Sequence, residues 1–297
     1  MGKNPQDELA ELNPIHEFFV GIDSDGCAFD TMEIKQKECF CPNIIKYFEL
    51  QSVSKYARET WEFVNLYSIH RGYNRFIALV IFFELLAVRK DVIARNQKIP
   101  DISPLKEWIS KETKLANPVL EEYAKKVKIP VIDLALKWSE KVNSDIAEMV
   151  YGMPPFPFVK DCLDKIVKKA DVIIVSQTPM EALTREWKEN NIDKYTRAMA
   201  GQEYGTKAEH IRFAAKGKYP DNKILMVGDA PRDLEAARTN GILFYPVNPG
   251  HEEASWERLC NEALDKFFNG SYKGEYENKL IEEFESYMPE EPPWEHI

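Results

Sequence analysis

Phe18-Phe19-Val20-Gly21-Ile22-Asp23-Ser24-Asp25-Gly26 decides how the rest of the chain is read. A short apolar run that stops at two acids and a glycine predicts a buried strand leading into a turn with carboxylates at its tip. The same grammar returns far downstream. Val172–Val175 reads as a strand ending at Ser176, Lys223–Val227 as a strand ending at Gly228-Asp229, and Ile242–Val247 as another strand, with a weaker one over Tyr195–Ala200. Helical patterns fall between them over Phe158–Lys169, Pro179–Asn190, Lys207–Ala215 and Pro231–Thr239, the last closed by Asn240-Gly241. Repeated β-α units predict an α/β fold, a three-layer Rossmann-like parallel sheet with helices on both faces.

Between the first strand and the others the pattern changes. Over residues 30–150 apolar side chains recur at helical spacing, in Trp61–Tyr67, Phe76–Val88, Leu105–Ile109 and Ile132–Val142, and no strand is evident. This block reads as an all-helical domain inserted into a core made of residues 1–29 and 151–250. The connector Tyr151–Phe158 carries three prolines in four positions, which no regular helix or central strand accommodates. Residues 251–297 read as a helical extension, with Ser255–Phe268 a candidate to pack on the core and the stretch from Met288 to Trp294 an extended tail.

The composition excludes several classes of partner. The chain has 297 residues, of which 44% are hydrophobic, enough for a substantial core. There are 49 Asp and Glu against 39 Lys and Arg, a formal charge of −10, and the pI is about 5.2. Such a surface disfavours nucleic acid and anionic lipid. Met1–Glu17 lacks the pattern of a secretory signal, and no apolar run reaches membrane-spanning length. Five cysteines at irregular spacing predict reduced thiols in a cytoplasmic protein, and Cys39-Phe40-Cys41 has no second pair to complete a zinc site.

The chemistry lies at the strand ends, because an open parallel sheet binds ligands beyond its carboxyl edge. The predicted strands deliver Asp23 and Asp25, then Ser176, then Asp229 with Asp233 four residues on; Lys207 begins a helix between the last two. Four carboxylates in one cleft repel one another unless a cation is present. Oxygen donors favour magnesium over zinc or copper. Lys207 and Ser176 add a positive charge and a hydroxyl suited to a phosphoryl group. The inventory fits a site that holds Mg²⁺ and phosphate together, with one carboxylate left to attack.

These four stretches resemble, in order, the four motifs of the haloacid dehalogenase superfamily: Asp23-Ser24-Asp25 after an apolar strand, Ser176 after Val-Ile-Ile-Val, Lys207, and Gly228-Asp229-Ala230-Pro231-Arg232-Asp233. The resemblance covers about half of the chain and is closest to the phosphatase-like branch with a helical cap. It implies that Asp23 is the nucleophile and Asp25 the general acid and then base. Ser176 would hydrogen-bond the phosphoryl group and Lys207 would neutralise charge. Mg²⁺ would be bound by Asp23, by Asp25 through its backbone carbonyl, by Asp229, and by Asp233 directly or through water. Residues 30–150 would be the cap that closes over substrate. Members that remove halide lack an acid where Asp25 stands, so Asp25 fits phosphatases and phosphomutases, whose alkoxide leaving group needs a proton.

Departures from the family pattern are local. Cys27 stands where a β-branched residue is common and reads as a small buried side chain. Thr178, in Ser176-Gln177-Thr178-Pro179, is read as capping the helix that follows, ahead of a hydroxyl role in the site. Arg232 is read as solvated. For the substrate, His70-Arg71-Gly72-Tyr73-Asn74-Arg75 in the helical block supplies planar donors. On a helix Arg71, Asn74 and Arg75 would share one face and could bind a phosphate or carboxylate; a basic helix end paired with neighbouring acids is the alternative. The expected activity is Mg²⁺-dependent hydrolysis of a small phosphorylated metabolite through an aspartyl phosphate. A phosphomutase or phosphotransferase with the same intermediate, and a non-catalytic binding module, remain open at this point.

Overall fold

A computed structural model describes residues 4–296 of the chain. Five strands form one sheet: β1 (Phe18–Ile22), β2 (Ala170–Val175), β3 (Ala198–Ala200), β4 (Ile224–Gly228) and β5 (Leu243–Pro246). They are all parallel, in the order β3-β2-β1-β4-β5. The first strand in sequence is therefore the middle strand in space. Its register pairs Ile22 with Ile174 of β2 and with Val227 of β4. The residues that follow these positions, Asp23, Ser176 and Asp229, consequently emerge at the same edge.

The four longer strands are buried along their whole length, as expected of a parallel sheet covered by helices on both faces. Helices Val159–Ile166, Met180–Glu189, Lys207–Ala214 and Pro231–Asn240 make the crossovers. The weak strand expected over Tyr195–Ala200 keeps only its last three residues, because Asp193–Tyr195 close a single 3₁₀ turn instead.

The chain divides into two compact units. One takes the chain through Thr31 together with Gly152–Met288, and the other takes Met32–Tyr151 together with the chain from Pro289. Among the described residues the second unit contains helices and no strand. Its core is aromatic: Trp61 meets Trp138 edge-on at 5.9 Å, and Phe76 meets Trp108 at 5.2 Å. Helix Arg75–Val88 runs through it with seven buried side chains, the mark of a helix that is apolar nearly all round.

The stretch Ser255–Phe268, read as a candidate to pack on the core, does pack there. Glu252–Arg258, a π-helical turn over Leu259–Ala263, and Leu264–Asn269 follow one another without a break, and Trp256, Leu259 and Phe267 join the core of the sheet unit. The backbone of β5 is an edge that would otherwise invite pairing. It is answered by side chains from this region, since Phe244 N donates to Glu277 Oε1 at 2.9 Å and Tyr272 Oη donates to Phe244 O at 2.7 Å. The tail beyond Met288 is not simply extended. Pro293–His296 form a short 3₁₀ turn, and the Trp294 ring packs on Phe63 at 5.4 Å within the helical unit. Among the described residues no helix is long and apolar enough to cross a membrane, and all five cysteines are buried free thiols.

Candidate active site

Asp23 is the first residue beyond β1, and its backbone N–H still donates to Val227 O of β4 at 3.0 Å. Its carboxylate is gripped from two sides. Oδ1 accepts from the backbone N–H of Ser24 at 2.7 Å, and Oδ2 accepts from Lys207 Nζ at 2.7 Å. Lys207 opens its helix behind Thr206, which closes a capping box with Glu209 and fixes where that helix starts. The same ammonium reaches Asp233 Oδ1 at 2.6 Å.

Asp233 lies in the first turn of the helix Pro231–Asn240. Its Oδ2 accepts the backbone N–H groups of Asp229 at 3.2 Å and Ala230 at 3.0 Å. A carboxylate there satisfies helix donors that have no partner of their own and sits at the positive end of the helix dipole. The packing requires glycine just before Asp229: a Cβ on Gly228 would lie 2.3 Å from Cβ of Asp233. The Gly-Asp pair seen in the sequence is thus a steric necessity of the turn. Gly26 closes the other loop with φ at 77°, the left-handed region that favours glycine.

Asp23, Asp229 and Asp233, all buried, each bring a carboxylate oxygen within 4.8 Å of the others. Burial pushes the Asp23 carboxyl well above its ordinary range, Lys207 opposes that, and Asp233 and Asp229 push it further up. Burial pulls Lys207 down, yet the three aspartates outweigh it and hold the ammonium well above its usual value. Lys207 Nζ bonds two of these three buried carboxylates. The clustered negative charge and the all-oxygen donor set fit a hard divalent ion.

Asp25 is turned to a different task. Its Oδ1 accepts from Thr31 Oγ1 at 2.5 Å, and its Oδ2 accepts from Thr178 Oγ1 at 2.7 Å. The Asp25 carboxylate does not belong to the three-oxygen cluster; the metal role expected for Asp25 ran through its backbone carbonyl. Ser176 is buried at the end of β2, held by its N–H to Ala200 O at 2.9 Å. Its Oγ accepts from Thr178 N at 3.1 Å, which leaves its own hydroxyl hydrogen to donate. The structure therefore brings Asp23, Asp25, Ser176, Lys207, Asp229 and Asp233 to one edge of one sheet.

The reading of one small residue changes. Thr178 does not cap the helix after it, which begins at Met180 behind Pro179; its hydroxyl goes to Asp25 instead. Thr31 was not singled out at all, although a threonine six residues past Asp25, at the junction to the helical block, was visible in the sequence. Cys27 is the small buried side chain expected, its thiol pushed up by burial and by the charges of Asp229, Asp23 and Asp233. Arg232 is exposed.

The donors singled out in the helical unit do not share one helical face. The helix starts at Arg75, so Arg71 lies outside it and Asn74 is its N-cap, accepting from Phe76 N at 3.0 Å. Asn74 Nδ2 also donates to Leu115 O at 3.0 Å. Arg71 is buried, with Nη1 donating to Leu66 O at 2.9 Å. Arg75 Nη1 reaches Ser139 Oγ at 3.0 Å and Asn143 Oδ1 at 2.7 Å, and burial lowers its pKa to about 10. These contacts are the work of a helix junction. Asn74 and Arg75 are thus held by backbone carbonyls, a hydroxyl and an amide of the helical unit.

Residues 101–247 match a family model described as haloacid dehalogenase-like hydrolase. The match contains Ser176, Lys207, Asp229 and Asp233, and the order of the strands places Asp23 and Asp25 among them. Across residues 101–247 the chain belongs to the haloacid dehalogenase-like hydrolases. Solved structures similar to this hydrolase include a haloacid dehalogenase-like family hydrolase from Streptococcus pneumoniae, at 14% identity and a TM-score of 0.40 over 81% of this chain and 90% of that one. A candidate phosphoglycolate phosphatase from Lactobacillus delbrueckii subsp. bulgaricus aligns at 15% identity and a TM-score of 0.47, over 83% of this hydrolase and 92% of that chain. A candidate beta-phosphoglucomutase from Thermotoga maritima aligns at 14% identity and a TM-score of 0.44, over 84% and 99% of the two chains. Comparison with the curated proteins gives no match.

Proposed function

We propose that this hydrolase is a Mg²⁺-dependent phosphatase that acts on a small phosphorylated metabolite through an aspartyl phosphate on Asp23. The observation that carries the reading is the state of Asp23: a buried carboxylate held by Ser24 N and Lys207 Nζ, with two more carboxylates beside it. A nucleophile so constrained attacks along one direction.

In this reading an oxygen of Asp23 forms a bond to phosphorus as the bond from phosphorus to the ester oxygen breaks. Asp25 gives its proton to the departing alkoxide, which leaves as the alcohol. Asp25, now ionised, takes a proton from water. That water attacks phosphorus, the acyl-phosphate bond breaks, and inorganic phosphate departs with Asp23 restored. Ser176 donates to a phosphoryl oxygen, and Lys207 offsets the charge that gathers on the phosphoryl group and Asp23. Asp23, Asp229 and Asp233 would hold the magnesium ion together with the Asp25 backbone carbonyl. When bound, the ion supplies charge neutralisation between carboxylates and phosphate.

The test is release of inorganic phosphate from a panel of small phosphorylated metabolites with Mg²⁺, for the wild type and for Asp23→Asn. The reading expects turnover of at least one compound and its loss in the variant. Transfer of the phosphoryl group to a second metabolite in place of water would redirect it to a phosphotransferase. No turnover of any compound, with metabolite binding the same in Asp23→Asn, would overturn it in favour of a binding module.

A further inference from the structure

The short loop that carries both acids is held by its middle residue. The Ser24 side chain has partners different from those of Asp23 and Asp25. Ser24 has no exposed surface. Its backbone already serves the turn: N–H to Asp23 Oδ1 at 2.7 Å, and carbonyl to the N–H groups of Ala28 at 2.9 Å and Phe29 at 3.1 Å. Its hydroxyl serves a different element. Ser24 Oγ accepts from Trp187 Nε1 at 3.0 Å and donates to Glu186 Oε2 at 3.0 Å.

Glu186 and Trp187 sit near the end of the helix Met180–Glu189. The segment leading into that helix contains Thr178, which holds the Asp25 carboxylate at 2.7 Å. One stretch of chain therefore grips the loop at two points, once through Asp25 itself and once through Ser24. The Trp187 ring is fully buried and meets Phe29 edge-on at 5.6 Å, so the indole N–H is aimed by core packing. The far end of the same helix is tied to the returning connector, since Asn190 Nδ2 donates to Met153 O at 2.9 Å and to Glu186 O at 3.0 Å. A buried hydroxyl needs a partner, but one would satisfy it. Here an acceptor and a donor fix its rotamer from both sides.

We propose that Glu186 and Trp187 are positioning residues which act through Ser24 to set the Asp25 carboxylate relative to Asp23. Neither touches the reacting atoms. The inference rests on the phosphatase reading above. Ser24 is joined to each acid by one peptide unit. A turn about its backbone therefore moves the proton donor relative to the nucleophile while leaving the three-carboxylate cluster in place.

The leaving-group dependence of hydrolysis tests this. Phenyl phosphate needs a proton from Asp25 as its alcohol departs, whereas p-nitrophenyl phosphate releases a stable anion with far less help. In Ser24→Ala and Trp187→Phe, kcat with phenyl phosphate should fall by about tenfold, a fraction of what a general acid contributes. It should fall less with p-nitrophenyl phosphate, with KM little changed for either. Glu186→Gln, whose amide oxygen still accepts from Ser24, should lose less than Glu186→Ala. Equal losses on both esters, or a rise in KM with kcat unchanged, overturn the positioning role. If Trp187→Phe does not fold, Ser24→Ala and the Glu186 pair make the same comparison. A wild-type protein that hydrolyses neither these esters nor any metabolite of the panel brings down the phosphatase reading and this inference with it, and that failure is told apart by appearing before any substitution is made.

Discussion

Thr178 Oγ1 donates a 2.7 Å hydrogen bond to Oδ2 of Asp25, across 153 residues of chain. The contact joins the loop after β2 to the loop after β1. It runs from the side chain of the proposed acid to the strand end carrying Ser176. With Thr31 on Oδ1, it leaves the Asp25 carboxylate one orientation.

Removal of that link should act on chemistry more than on binding. Thr178→Val keeps the shape of the side chain and deletes the hydroxyl. The expected outcome is a fall in kcat of about tenfold, with KM little changed, because a mispositioned acid loses part of what general acid catalysis supplies. Steady-state kinetics on the best substrate of the metabolite panel checks it. A change confined to KM would assign Thr178 to substrate binding instead.

The carboxylate cluster predicts how magnesium binding depends on pH. Burial first, then Asp233 and Asp229, raise the Asp23 carboxyl above its ordinary range. Proton and cation compete for the same oxygens, so the affinity for Mg²⁺ should rise with pH, over a window lying above the usual carboxylate range. Calorimetric titration of Mg²⁺ at a series of pH values reads this directly. Mg²⁺ at about 100 times its Kd should also stabilise the fold by about 2.7 kcal/mol. In Asp229→Asn that stabilisation should shrink sharply. Thermal melts with Mg²⁺ or with EDTA measure it, and an equal shift in the variant would remove Asp229 from the ligand set.

At the opposite end of β2, Asp171 is a buried carboxylate with structural work. It accepts from Ile15 N at 2.8 Å, His16 N at 3.1 Å, Arg197 Nη1 at 2.8 Å and Tyr219 Oη. Burial raises its pKa, but the hydrogen bonds from Tyr219, Ile15 and His16 outweigh that and hold the carboxyl well below its ordinary value. A depressed acid stabilises the fold above its unfolded pKa, and that contribution is lost as pH falls through the folded value. Asp171→Asn should therefore cost about 1.5–3 kcal/mol near neutral pH, the usual worth of hydrogen bonds to a charged group. The gap between variant and wild type should narrow as the solution is made strongly acidic. Chemical denaturation at several pH values provides the comparison.

How much of this was legible in the sequence follows from what each residue's neighbours are. Phe18–Ile22 was read to the residue because a buried parallel strand is apolar throughout and its end is marked by Asp23 and Gly26. Asp229 and Asp233 were legible as a pair because they follow the strand Lys223–Val227 four residues apart, within Gly228-Asp229-Ala230-Pro231-Arg232-Asp233. The donors to Asp25 were not. Thr31 and Thr178 are ordinary threonines until the sheet order places their loops together, and no local pattern separates a cap from a side-chain donor. The misreading of Arg71, Asn74 and Arg75 has the same origin. Helical spacing was assumed across a junction where the helix starts only at Arg75, so the shared face did not exist. Glu186 and Trp187 looked like any amphipathic helix residues, and their bond to Ser24 spans more than 160 residues of chain.

The tail offers the last test. A stretch with three prolines and Trp294 reads as a loose end, yet the Trp294 ring lies 4.3 Å from the Arg89 guanidinium, and Tyr56 lies on Arg89 at 4.8 Å. Arg89 is itself buried, and it ties Tyr56 O at 3.1 Å and Glu59 to the end of helix Arg75–Val88. A guanidinium between two aromatic faces, largely out of water, gains about 1–2 kcal/mol per face. Trp294→Ala removes one face and also the packing on Phe63, so it should destabilise the helical unit by about 2 kcal/mol. The sheet unit, which does not contain the tail, should keep its stability. Hydrogen exchange resolves the two: protection should drop in helix Ser54–Leu66 and hold in β1 and β4. A loss spread evenly over both units would mean that the tail supports the whole chain and not the helical unit alone.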